Sequence, residues 1–181
     1  RWGLLSQRLG TDCWLKHENH TPVGAFKIRG GLTYFDQLAR RGALPREVIS
    51  ATRGNHGQSM GWAARLHGVA CTICVPRGNS VEKNAAMRAL GVTLIEHGED
   101  FQAAREHALQ LAGERGAHMV PSYHPALVRG VASYWWEFLR AVPHMDWAYV
   151  PIGLGSGACA AVVAKRALGH GVRLVGVVSS G

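Results

Sequence analysis

The sequence predicts an α/β protein with mostly parallel sheet, and three observations carry that expectation. Short apolar runs alternate with longer helical ones along the 181 residues, as repeated strand–helix–strand units do. Several of the apolar runs are continuous rather than alternating, the pattern of strands covered on both faces. In the last helical stretch Ala160, Val163, Ala164 and Ala167 share the i, i+3, i+4, i+7 spacing of one helix face.

In chain order, the first expected strand is Asp12–Lys16, followed by a helix over Gly30–Arg41. Glu47–Ala51 is a strand, Gly57–Leu66 a helix, and Ala70–Val75 a strand whose run Cys-Thr-Ile-Cys-Val reads as buried. A helix over Val81–Leu90, a strand over Thr93–Glu96 and a helix over Phe101–Glu114 come next. Met119–Pro121 (strand), Pro125–Ala141 (helix), Trp147–Pro151 (strand), Ser156–Leu168 (helix) and Val172–Val177 (strand) complete the series. There are no internal repeats or low-complexity runs. A chain opening on Arg1 and ending just past a central-looking strand is expected to be truncated at both ends.

Composition narrows the class. Hydrophobic residues make up 47% of the chain, which suits a globular protein. No run approaches the roughly 20 apolar residues that span a bilayer, and no secretory leader pattern is present. The formal charge of +8 comes from scattered Lys and Arg without interleaved aromatics or a nucleic-acid motif, so anionic small ligands explain it better than nucleic acid. Cys71 and Cys74 have C-x-x-C spacing. On a strand, however, residues three apart point to opposite faces, so they are expected to be core thiols rather than a zinc or redox pair. Free thiols fit a cytoplasmic protein.

Three strand-to-helix turns carry candidate chemistry. In Gly153-Leu154-Gly155-Ser156-Gly157, glycines allow close backbone approach, and the following helix N-terminus offers unpaired N–H groups to an anion. The Lys of a Walker loop is missing from Gly157-Ala158-Cys159. The acidic residue of a dinucleotide fold is missing from Val177-Val178-Ser179. A phosphate without an attached nucleotide therefore suits the turn, which can also be merely structural. In the second segment Pro22 and Gly24 make a turn and Lys27 opens a helix between Phe26 and Ile28. Desolvation and a helix N-terminus both disfavour its ammonium form and free the amine to attack a carbonyl; a plain surface lysine is the alternative. His17-Glu18 does not begin an H-E-x-x-H motif, because Thr stands at position 21. The third segment, Thr52-Arg53-Gly54-Asn55-His56-Gly57, sets Asn55 and His56 on a turn at the carboxyl end of a strand, where α/β proteins place ligands. His56 is there a candidate base, or the pair a simple helix cap. In a parallel sheet all three turns open on one edge, and an amine beside a phosphate cradle points to an aldehyde-bearing phosphate, pyridoxal 5′-phosphate (PLP).

At these residues the sequence resembles the fold-type II PLP enzymes, in particular threonine/serine dehydratases and their serine racemase relatives, from about Leu4 to Val177. Pro22-Val-Gly-Ala-Phe-Lys-Ile-Arg-Gly30 is similar to the family's lysine motif, Gly54-Asn-His-Gly57 to its asparagine loop and Val150-Pro-Ile-Gly-Leu-Gly-Ser-Gly157 to its glycine phosphate loop. The resemblance implies a two-lobed, tryptophan-synthase-β-like fold, with a smaller lobe over 48–126 and a larger, incomplete one over 1–47 plus 127–181. It implies that Lys27 holds PLP and takes the substrate's α-proton. Asn55 would bond the ring hydroxyl, and Gly153, Leu154, Gly155, Ser156 and Gly157 would bind the phosphate. Thr52, Arg53, Gly54 and His56 would receive the substrate. The implied activity is α,β-elimination from L-threonine and/or L-serine to a 2-oxo acid and ammonia.

Departures from the family pattern refine this. Arg53 stands where racemases have a second serine base, which disfavours racemisation. Val178 occupies the place of a cation-binding Glu, so no metal site is expected. Leu154 and Ser156 replace loop glycines, and the family's pyridine-nitrogen contact would lie beyond Gly181. Alternatives are a β-replacement enzyme of the cysteine-synthase type, which would use the same turns, and a non-catalytic anion-binding domain. The complete protein is expected to act on a small amino acid, as a homo-oligomer, without nucleic acid or membrane.

Overall fold

Two parallel sheets organise the computed structural model, which describes residues 1–179. Strands β1 (Glu47–Ala51), β2 (Ala70–Val75), β3 (Thr93–Glu96) and β4 (His118–Met119) form a four-stranded sheet in the order β3-β2-β1-β4. Strands β5 (Trp147–Pro151) and β6 (Arg173–Val177) pair separately. The helices are α1 (Gly3–Leu9), α2 (Lys27–Arg40), α3 (Asn55–Leu66), α4 (Val81–Ala89), α5 (Phe101–Arg115), α6 (Pro125–Ala141) and α7 (Ser156–Leu168).

The strand order determines where a ligand crevice opens. From β1 the chain winds outward through β2 to β3, then returns to lay β4 on the other side of β1. Right-handed crossovers in opposite directions put their helices on opposite faces. Accordingly Met60, Ala63 and Ala64 of α3 and Met87 of α4 pack with Val48, Cys71, Ile73 and Val75 on one face. Ala104, Ala108 and Ala112 of α5 pack with Ile49, Ala51 and Cys74 on the other. The winding reverses between β1 and β4, and such a switch point leaves a crevice at the carboxyl ends of its strands. Ile49, Met60 and Ile73 are each 0% exposed, and burying each contributes on the order of 2 kcal/mol.

Cys71 and Cys74 diverge to the two faces of β2 and are both buried free thiols. Burial pushes the Cys71 thiol up to about 12 and that of Cys74 to about 11. In the second sheet Ala148 and Val150 of β5 pack under α6 and α7 against Trp135, Leu139, Ala160 and Ala164.

Helix α2 joins the two halves, and glycines let it do so. A Cβ on Gly30 would stand 2.9 Å from the Leu127 carbonyl, and one on Gly130 would collide with the Arg29 carbonyl, so α2 and α6 meet backbone to backbone. An ion-pair clamp lies beside the contact. Arg29 donates to both carboxylate oxygens of Glu18 (2.8 and 3.0 Å) and of Glu137 (2.7 and 3.0 Å). Lys16 joins the same two acids at 3.0 and 2.8 Å.

Three expectations need correction. Asp12–Lys16 is not a strand. Its Trp14 and Leu15 are 45% and 51% exposed, and its backbone is engaged with α1 instead: Trp2 N–H donates to Cys13 C=O, and Cys13 N–H to Ser6 Oγ. Without a neighbouring strand, extended backbone has no ladder. Helix α2 covers Lys27–Arg40, so Lys27 does open it, as its turn predicts, and only the expected span Gly30–Arg41 is short at its start; Gly30 and Gly31 serve packing within it. Strand β4 covers His118–Met119 rather than Met119–Pro121.

Gly130→Ala is expected to force α2 and α6 apart and lower the unfolding free energy by roughly 1–3 kcal/mol, read as an earlier urea midpoint. Gly113→Ala, in α5 with open space around it, is the control and is expected to stabilise by about 0.5–1 kcal/mol. The Glu137 carboxyl is pulled down to about 2 by the hydrogen bonds from Arg29 and then Lys16. A depressed carboxylate lends its full stability above the ordinary value of 4.5 and loses it as pH falls through about 2. Glu137→Gln is therefore expected to flatten the dependence of stability on pH in that window, measured by acid unfolding.

Candidate active site

The lysine turn builds itself from local bonds. Gly24, at φ 63°, closes a turn in which its N–H donates to Thr21 C=O at 2.8 Å. Thr21 Oγ1 accepts from Ala25 N–H at 2.9 Å and donates to Ala25 C=O at 3.0 Å. The chain thus enters α2 directly, with Lys27 as its first helical residue. Ser59 of α3 donates to the Lys27 carbonyl at 2.6 Å, which ties α2 to the helix that opens with Asn55.

The Lys27 amine reaches across the molecule. Nζ donates to Ser156 Oγ at 3.0 Å, linking residues 129 positions apart. It also lies 5.7 Å from the centroid of the Phe26 ring. Burial lowers its pKa below the ordinary 10.5, which favours the nucleophilic free amine.

Two helix N-termini converge on this amine. In α7 the first ladder bond runs from Cys159 N–H to Gly155 C=O. The N–H groups of Ser156, Gly157 and Ala158 precede it, and no side chain caps the helix. Gly155, at φ 89°, adopts a left-handed conformation that favours glycine. Gly153 and Gly155 have no heavy atom within 4 Å of where a Cβ would stand, so the turn is open to a ligand. In α3 the first ladder bond is Gln58 N–H to Gly54 C=O, again with no side-chain cap. Thr52 Oγ1, buried, accepts from Gly54 N–H at 3.0 Å and shapes that turn.

His56 is held deep under the α3 turn, 7% exposed. Burial, and then the nearby charge of Lys27, push its pKa down to about 3. It is therefore a neutral imidazole, and the candidate base role is confined to that form. Arg53 and Asn55 are exposed at the turn, and Leu154 turns its side chain to solvent at 62% exposure. Lys27, His56, Thr52, Gly54 and Ser156 are thus brought together, whereas Leu154 contributes only backbone.

Two residues at the site carry no sequence signal. Lys83, from the first turn of α4, lies across Gly54. A Cβ there would collide with Lys83 Cδ and stand 3.2 Å from its Nζ, so the flexible Lys83 side chain lies directly against the turn. Ser50 of β1 contacts His56 Nε2 at 3.1 Å. Only the fold brings either pair together.

An open cradle of uncapped N–H groups beside a partly desolvated amine fits a phosphate-bearing aldehyde such as PLP. Among the described residues no group of three or more His, Cys, Asp or Glu could hold a metal ion, and no helix is long and apolar enough to cross a membrane.

The chain is similar to known proteins over nearly its whole length. The chain is 35% identical over 174 residues to an L-threonine ammonia-lyase of Geobacter sulfurreducens, covering 96% of this chain and 43% of that protein. It is 32% identical over 175 residues to an L-threo-3-hydroxyaspartate ammonia-lyase of Saccharomyces cerevisiae, covering 96% and 53%. Its fold matches processed threonine deaminase isoform 2 from Solanum lycopersicum with a TM-score of 0.88 at 28% identity, covering 97% of this chain and 48% of that one. The chain thus spans about half the length of these relatives. The family described as pyridoxal-phosphate dependent enzymes matches residues 1–181, and the chain belongs to that family.

Proposed function

We propose that the complete protein is a PLP-dependent lyase that deaminates a hydroxy amino acid, L-threonine and/or L-serine, to a 2-oxo acid and ammonia. The observation that carries this reading is the 3.0 Å contact between Lys27 Nζ and Ser156 Oγ, which joins an amine to an uncapped anion turn. The names of the ammonia-lyase relatives support the reaction class. We propose likewise that residues 48–126 form a smaller lobe and 1–47 plus 127–181 a larger one, and that the protein works in the cytoplasm as a homo-oligomer.

The roles follow from position. The N–H groups of Gly153 to Gly157 and the Ser156 hydroxyl bind the phosphate at the positive end of α7. The Asn55 amide holds the ring hydroxyl. The free N–H groups at the start of α3, with Thr52, Arg53, Gly54 and His56 around them, receive the substrate carboxylate, and Lys83 adds a second cation there. Bound PLP supplies an electron sink for the α-carbon. Lys27 Nζ, whose pKa burial lowers, is in its free-amine form the base that takes the α-proton. Neutral His56 adds no competing positive charge next to it.

A panel of hydroxy amino acids given to the full-length protein is expected to yield 2-oxo acid from threonine or serine. Release from neither, or β-replacement with serine and sulfide as the dominant reaction, would reject the proposal. Lys27→Ala is expected to abolish the borohydride-trapped cofactor adduct while leaving the fold intact by circular dichroism. The rate at which cofactor-free protein captures PLP is expected to rise with pH and to level off below pH 10.5, because the free amine attacks and its pKa is lowered. An inflection at or above 10.5 would contradict a desolvated amine.

A further inference from the structure

A buried polar chain lies beneath the Asn55 turn. Ser50, 1% exposed, sits on β1 with its side chain toward α3. Its hydroxyl is 2.7 Å from the Val120 carbonyl and 3.1 Å from His56 Nε2. A hydroxyl has one proton. The carbonyl can only accept, so the Ser50 proton goes to Val120 and the hydroxyl oxygen faces His56 as an acceptor. The proton in that second contact must then belong to the imidazole. His56 is thereby assigned as the Nε2–H tautomer, with Nδ1 carrying the lone pair.

The assignment has consequences for the site. Charging His56 would require a proton on Nδ1, in a buried place where Lys27 already exerts a positive charge. His56 also lies one helical turn before Ser59, whose hydroxyl holds the Lys27 carbonyl at 2.6 Å. The start of α3 is therefore fastened twice, through His56 to Ser50 of β1 and, beyond it, to Val120 just after β4, and through Ser59 to α2. A shift at either fastening displaces Asn55 and Lys27 relative to each other.

We propose that Ser50 is a positioning residue: its hydroxyl locks His56 as the neutral Nε2–H tautomer, anchors the first turn of α3 and keeps a second cation away from the Lys27 amine. The functional half of this proposal rests on the Asn55 turn being the cofactor and substrate loop described above.

The test uses the full-length protein with 15N-labelled histidine and PLP as the probe. Side-chain nitrogen shifts of wild-type His56 are expected to show the Nε2–H tautomer, with no titration near the ordinary 6.5. Ser50→Ala leaves the His56 N–H and the Val120 carbonyl without a partner. It is expected to mix the tautomers and to weaken PLP binding by on the order of tenfold. Ser50→Thr keeps a hydroxyl on the same carbon and is expected to retain both the wild-type tautomer and affinity. An Nδ1–H tautomer or a titration near 6.5 in the wild type overturns the proposal, and this holds even if Ser50→Ala does not fold. So does a Ser50→Ala protein with unchanged shifts and affinity, or a Ser50→Thr protein that loses them. Wild-type protein that shows the Nε2–H tautomer but binds no PLP would instead reject the cofactor reading and, with it, the functional half.

Discussion

The backbone contact between α2 and α6 is the constraint on which the site depends. Where glycine faces backbone at Gly30 and Gly130, no side chain can rotate to absorb a shift, and close-packed interiors transmit displacement rather than damp it. The opposite side of α2 is held in the same way, since a Cβ on Gly31 would collide with Ser59 Oγ. Helix α2 is thus gripped between α6 and α3, and its first residue, Lys27, inherits that rigidity. The Arg29 clamp to Glu18 and Glu137 secures the turn that feeds the helix. Single ion pairs near the surface contribute little individually; here two acids share one partly buried guanidinium in bidentate geometry, which fixes direction as much as energy.

Burial lowers the pKa of the gripped lysine, and the charges around it decide what the site can receive. The positive ends of α3 and α7 face the same region as Lys27, and Arg53 and Lys83 lie at its rim. Glu18 and Glu137, which could have balanced them, are engaged by Arg29 and Lys16. Positive potential gathered without a neighbouring carboxylate is unfavourable in the ligand-free protein and favourable once anions arrive. A phosphate at α7 and a carboxylate at α3 are the two anions that the proposed reaction brings. The same field disfavours a charged His56, so the electrostatics and the Ser50 hydrogen bond select the same neutral imidazole.

How much of this was legible in the sequence depended on the range of the interaction. The run Ala70–Val75 could be read as a strand because burial on both faces makes it apolar throughout, and the divergence of Cys71 and Cys74 follows from strand geometry alone. The Pro22–Gly24 turn and the glycine-rich turn at Gly153–Gly157 are local and equally visible. Asp12–Lys16 misled because Cys13, Trp14 and Leu15 have strand-like composition, whereas a strand also needs a partner that composition does not name. Helix α1 is only seven residues long, too short for a periodic signal. Lys27 was readable as the opening of α2, but the part that Gly30 and Gly31 play, contact with helices that come later in the chain, was not. Lys83 over Gly54 and Ser50 beneath His56 were invisible for the same reason.

Ser156 shows how a departure from a family pattern acquires meaning once the fold is known. At its place in the loop a glycine would supply a backbone N–H and nothing more. Serine keeps that N–H at the start of α7 and adds a buried hydroxyl, 4% exposed, that accepts from Lys27 at 3.0 Å. A partly desolvated ammonium without an acceptor would be costly, and in this chain the phosphate turn itself provides one. The same hydroxyl has a proton to donate, so it suits the amine and an incoming phosphate alike. The lysine turn and the glycine turn, separate motifs along the chain, are therefore halves of one device, and the residue that departs from glycine is the one that joins them.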